Sequence, residues 1–149
     1  MNKVLKQKMY GLVLRQLNPI QKGIQVTHAV VEFANTYFSD DEYKQWSKED
    51  KTLVMLDMND IPHMKSIIQK LVSVGIKFSC FCEPNLEGLP TALCFLADER
   101  VWDKYGHNDF IFPCYDSAMM FGETLIEDEW DAQKITTLRG ILEHLRPSR

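Results

Sequence analysis

Tyr10-Gly11-Leu12-Val13-Leu14, followed by Leu17-Asn18-Pro19-Ile20-Gln21-Lys22-Gly23-Ile24-Gln25-Val26-Thr27-His28-Ala29, is the stretch on which the fold of this chain turns. The first run is apolar and too short for a helix, so it reads as a buried strand that ends at Arg15-Gln16. Pro19 suits a first helical position, where its missing N–H leaves no bond unmade, and a helix is expected from there to about Phe38. At about 100° per residue, Gln21, Gln25, His28 and Glu32 share a sector of roughly 60°. Ile20, Ile24, Val26, Val30, Val31, Phe33 and Ala34 are then expected on the broader opposite face, against the core. Two carboxamides, an imidazole and a carboxylate in register form a candidate binding stripe. It starts at a helix end whose free N–H groups favour anionic or carbonyl-bearing ligands.

Beyond this helix, Ser39-Asp40-Asp41-Glu42 is a stop, and 43–50 reads as a polar connector with one tryptophan. Thr52 to Asp57 is a second buried strand. Asn59 or Asp60 caps a second helix with Pro62 just inside; Met64, Ile67, Ile68, Leu71 and Val72 are its apolar stripe, and Gly75 ends it. Ile76 to Cys82 is a third strand, 83–90 a loop, and Ala92 to Leu96 a fourth strand. The order βαβαββ implies an α/β fold with a mixed four-stranded sheet flanked by helices. Residues 99–131 hold seven of the 16 aromatics without a period, which suggests an irregular flap over the sheet edge or a partner interface. A final helix is expected from Asp131 to about Leu145, with Ile135, Leu138, Ile141, Leu142 and Leu145 facing inward. One domain spans 1–149, with a core at about 9–97 and the flap and last helix at 98–149.

The bulk composition excludes several classes. No window approaches the roughly 18 apolar residues of a membrane span. The basic N-terminus lacks an apolar core, so it is no signal peptide, and a cytoplasmic location is expected. Net charge is −4, against a general nucleic-acid binder, yet residues 1–22 carry Lys3, Lys6, Lys8, Arg15 and Lys22 and no acid. That basic end suits local contact with phosphate, or is simply a solvated tail. Cys80, Cys82, Cys94 and Cys114 supply no tetrahedral metal set and read as core thiols. No glycine-rich phosphate loop is present, so neither a metal nor a cofactor is expected.

The strand, the L-x-P-x-Q-x-x-x-Q-x-x-H-A helix and the later Glu83-Pro84-Asn85-Leu86 with Thr91-Ala92 together resemble the peptidyl-tRNA hydrolase II family, most closely a divergent bacterial and phage branch. The resemblance covers about residues 9–97. It implies hydrolysis of the ester between a peptide and the terminal ribose of tRNA, a mixed four-stranded sheet, and a tendency to form homodimers. It carries catalytic roles to Gln25, to Thr91 and to Glu83, which stands near the family's acid. Aligned on Gln25 and His28, Ile20-Gln21 occupies the family's Gly-Lys pair. Lys22 falls one residue later, about 100° round the axis.

Ester hydrolysis needs a positioned water, a base and oxyanion donors. Glu83 suits the base, while Thr91 and Gln25 suit the orientation of water or the oxyanion. Lys22 suits a tRNA phosphate, with Gln21 and Glu32 as further substrate contacts. His28 is either a catalytic base or a buried histidine pinning the helix to the sheet. Structural readings stand beside these: Glu83 as a turn residue, Thr91 as a strand former, Glu32 as the wet end of a stripe. Two other functions fit the same residues, a binding module of this fold that recognises RNA, a nucleotide or a protein, and a homodimer whose interface is the polar stripe.

Overall fold

A computed structural model describes residues 5–103 and 129–149 of the chain. It is an α/β fold built on a five-stranded mixed sheet of order β3-β4-β1-β2-β5. The strands are β1 (Gln7–Leu14), β2 (Leu53–Met58), β3 (Phe78–Glu83), β4 (Leu89–Asp98) and β5 (Arg146–Pro147). Helix α1 (Pro19–Tyr37) links β1 to β2, α3 (Ile61–Ser73) links β2 to β3, and β3 and β4 form an antiparallel pair. Short α2 (Asp41–Gln45) and α4 (Glu99–Trp102) sit at the ends of longer elements, and α5 (Glu129–Glu143) comes last.

β1 runs parallel to β2 and antiparallel to β4, and is the sheet's buried centre. The first crossover steps from β1 to its neighbour β2. The second returns past β1 and β4 to the far edge. Right-handed crossovers running in opposite directions place their helices on opposite faces. The core accordingly falls into two layers. Val26, Ala29 and Phe33 of α1 pack on Met9, Val13, Ala92 and Cys94. Met64, Ile67 and Leu71 of α3, with Ile135, Leu138 and Ile141 of α5, pack on Leu12, Leu56, Leu93 and Phe95. Each fully buried Val, Leu, Ile, Phe or Met among them stabilises the fold by about 1.5–3 kcal/mol.

Local signals fix the helix starts. Asn18 accepts the Gln21 N–H at 2.8 Å, and Asp60 accepts the His63 N–H at 2.8 Å. Gly75, at φ 71°, follows α3 in the left-handed region that glycine adopts without strain.

Three expectations need correction. The sheet has five strands rather than four, because the tail after α5 adds β5 antiparallel to β2. Two residues, one of them Pro147, carry no periodic signal from which to read a strand. Residues 43–50, read as a connector, belong to α2, which already begins at Asp41, and to one π-helical turn, Trp46–Asp50. Most consequential is the orientation of α1. Ile20, Ile24 and Val31, assigned to the core, are exposed, Ile20 by 76%. The helix buries Val26 and Phe33, as expected, but beside them Lys22, Gln25 and Ala29. The proposed aromatic flap falls mostly on 104–128, outside the described residues.

Candidate functional site

Because β1, β2 and β3 are mutually parallel and β4 opposes them, four chain segments meet at one end of the sheet. They are the exits of β1, β2 and β3 and the entry of β4. The first turns of α1 cover this end, which brings Gln25 against the β3–β4 pair. Gly11 makes that approach possible: a Cβ there would lie 2.6 Å from Val26 Cγ1, well inside contact distance. Helix and strand are therefore closer than any side chain at position 11 would allow.

Thr91 reaches Gln25 through a β-bulge. Phe81 pairs with Ala92 but Cys82 pairs with Pro90, so Thr91 is the extra residue on β4. Simple alternation puts Ala92 and Cys94 on the α1 face and Leu93 and Phe95 on the other, which would send residue 91 away from α1. The bulge reverses this, as bulges re-aim side chains near functional sites.

The result is a hydrogen-bonded chain. The Thr91 hydroxyl donates to Gln25 Oε1 at 2.6 Å, and Gln25 Nε2 donates to Glu83 Oε2 at 2.9 Å. Thr91 is 0% and Gln25 2% exposed, while Glu83 is partly open to solvent. Because the Glu83 carboxylate only accepts, the carboxamide has one consistent orientation, nitrogen toward Glu83 and oxygen toward the Thr91 hydroxyl. Glu83 Oε1 also accepts the Asn85 N–H at 3.2 Å. The bond from Gln25 first, then that from Asn85, holds the Glu83 carboxyl below its ordinary range. Glu83 is thus a carboxylate at neutral pH with lone pairs to spare for a water.

The other candidates lie around this chain. Gln21 is exposed, one turn before Gln25, with its Oε1 3.5 Å from Gln25 Nε2. His28 is exposed, not the buried pin considered from the sequence, and its ring stacks on Phe81 with centroids 4.3 Å apart. Glu32 is exposed, two turns along α1 from Gln25. Lys22 points elsewhere. Its side chain is 4% exposed, and Nζ lies 3.1 Å from both oxygens of Asp57 and 2.9 Å from the main-chain oxygen of Arg149. The ammonium is therefore occupied by the protein itself.

Two features of this end were not legible beforehand: the Asp57 partner of Lys22, and a cavity of about 560 Å³ at the β1–β2–β5 corner, reached by Arg15, Arg146 and Arg149. Neither Gln25, Glu83 nor Thr91 lines it. The tail arginines converge there only because β5 forms, so no local motif announces them. Among the described residues no three histidine, cysteine, aspartate or glutamate side chains group as metal ligands. Cys94 is buried and Cys80 partly so, whereas Cys82 is exposed rather than core. Burial pushes the thiols of Cys80 and Cys94 up to about 12, which keeps them protonated.

No protein-family model matches the chain. No curated protein matches it either. Among solved structures, a protein of unknown function, Atu0240 from Agrobacterium tumefaciens strain C58, is similar in fold, with a TM-score of 0.50 at 13% identity. The match covers 68% of this chain and 93% of that one. At that identity the likeness concerns the fold alone.

Proposed function

We propose that this protein is a peptidyl-tRNA hydrolase-like esterase that cleaves the bond between a peptide and tRNA by attack of water. The observation that carries the reading is the bonded chain Thr91–Gln25–Glu83, two of its three members fully buried, at the open end of the sheet. The Glu83 carboxylate takes the proton from the water as the water's oxygen bonds the ester carbon, and returns it to the ribose oxygen that leaves when the acyl–oxygen bond breaks. Gln25, held from behind by Thr91, fixes the carboxylate, and the reacting carbonyl takes its second amide hydrogen in place of the long 3.5 Å bond to exposed Gln21. His28 and Gln21 border the approach to Glu83 and position substrate. The partner in this reading is tRNA, in the cytoplasm, with no cofactor. No helix among the described residues is long and apolar enough to cross a membrane. The exposed Ile20, Ile24 and Val31 support a homodimer, which sedimentation at micromolar concentration tests.

The experiment is turnover of an N-blocked aminoacyl-tRNA by the whole chain. Glu83→Gln keeps shape and removes the base, and a loss of about 100-fold or more is expected. Thr91→Val leaves the Gln25 carbonyl unpaired and is expected to lower kcat with KM little changed. Wild-type turnover no faster than spontaneous hydrolysis overturns the proposal.

One observation favours a second reading, a binding module of the same fold without chemistry. Gln21 stands where the resemblance places a catalytic lysine, and Lys22 is engaged by Asp57, so no cation of α1 faces the bonded chain. Tight binding of a non-hydrolysable substrate mimic without turnover supports this reading.

A further inference from the structure

Three arginines line the cavity at the β1–β2–β5 corner. Arg15 follows β1, Arg146 lies on β5, and Arg149 ends the segment that runs beside β2. The Ser148 N–H donates to Met55 O at 2.9 Å, which holds this segment in place. His144 and Asn59 complete the polar wall. Among the described residues, none of the three guanidinium groups has a carboxylate partner within ion-pair distance. Asp57 also lines the cavity, but Lys22 balances its charge at 3.1 Å. The result is an excess of positive charge in a protein whose net charge is −4.

Gathered like charges repel one another, and an anion that bridges them removes that cost. Planar guanidinium forks match the paired oxygens of phosphate, which accepts two parallel bonds from each. The volume decides what accompanies the phosphate. About 560 Å³ lies within the roughly 300–1,000 Å³ of small-molecule sites and exceeds what a bare ion fills. Asn59 and His144 supply the donors and acceptors suited to a sugar or base.

We propose that this cavity is a phosphate-binding pocket for a nucleotide unit, with Arg15 and Arg146 as its principal contacts. The inference stands on the cavity and its charges and does not require the Gln25 site to be catalytic. Where that site does act on a tRNA ester, the pocket lies at the same end of the sheet. Lys22–Asp57 forms the wall between them, because Lys22 and Gln25 are neighbours one turn apart on α1.

The test is a calorimetric titration of the whole chain at low salt. Three probes serve: 5′-AMP, adenosine, and a dinucleoside with one internal phosphodiester and no terminal phosphate. 5′-AMP or the dinucleoside binds and adenosine does not; which of the two binds tells a terminal phosphate from a backbone phosphate. Arg15→Gln and Arg146→Gln each weaken binding about tenfold or more. Both side chains are exposed, so the variants keep the fold. Lys65→Gln, an exposed lysine on α3, leaves affinity unchanged. Inorganic phosphate competes. Failure of both phosphate-bearing probes to bind, equal binding of adenosine, or an equal loss in Lys65→Gln overturns the proposal. Binding that follows the arginines while peptidyl-tRNA is not cleaved leaves the pocket standing and removes only the esterase.

Discussion

Replacing Lys22 by methionine separates a structural lysine from a substrate-contacting one. The side chains of Lys22 and Asp57 are 4% and 16% exposed, and the ammonium meets both carboxylate oxygens at 3.1 Å. Lys22→Met keeps most of the volume and the apolar stem but leaves Asp57 without its counter-charge. Breaking such a pair from one side costs about 3–5 kcal/mol. The remaining solvent access of Asp57 places this case at the lower end, about 3 kcal/mol. For a domain of this size that lowers Tm by roughly 6–12 °C. Removing both charges in Lys22→Met/Asp57→Leu returns stability to within about 1 kcal/mol of the parent, since the pair's desolvation cost vanishes with it. Urea unfolding followed by tryptophan fluorescence reads all three proteins. A single-variant loss under about 1 kcal/mol, or a double variant no better than the single, refutes the argument. Lys22 would then be free to serve a ligand.

Gly11→Ala drives a methyl group into Val26 Cγ1 and is expected to cost about 1–3 kcal/mol, largely recovered in Gly11→Ala/Val26→Ala; thermal melts check both. Leu71→Ala empties a fully buried site under the opposite face and costs about 2–5 kcal/mol by the same measurement. The Glu83 carboxyl, held low by Gln25, titrates below the ordinary glutamate range in a side-chain carbon NMR titration, and Gln25→Leu raises it toward that range. Because its folded value is depressed, its contribution to stability is present above the unfolded value near 4.3 and is lost as pH falls through the folded value. Among Cys80, Cys82 and Cys94, iodoacetamide at pH 8 modifies exposed Cys82, while Cys80 and Cys94 stay unmodified in the native protein, as peptide mass spectrometry will read.

The elements of the sheet were legible because their signals are local. Pro19 opens α1 and Asp60 caps α3 where the sequence places them, and Met64, Ile67 and Leu71 face inward as their spacing requires. The orientation of α1 was not legible. Apolar side chains occupy two sides of this helix, and averaging over them points away from the face that packs on the sheet. That face includes Lys22 and Gln25, polar groups that become compatible with burial only through Asp57, Thr91 and Glu83 from other strands. Such partners are 35, 66 and 58 residues away, beyond any periodicity. Thr91 was singled out from a resemblance, but its direction follows from a register shift that alternation within β4 does not encode. The arginine-lined cavity needed β5, and β5 needed the edge of β2.

The extra residue on β4 makes the meeting of hydroxyl and carboxamide a question of odd and even. Deleting one position among residues 87–90 would let the two ladders run in step, and the threonine would turn toward Leu93's side of the sheet while its neighbours stayed where they are. The fold would survive and the relay to Glu83 would be gone. Chains of this architecture can therefore gain or shed the whole arrangement by a single codon's insertion or loss in one hairpin, with no substitution in the helix at all.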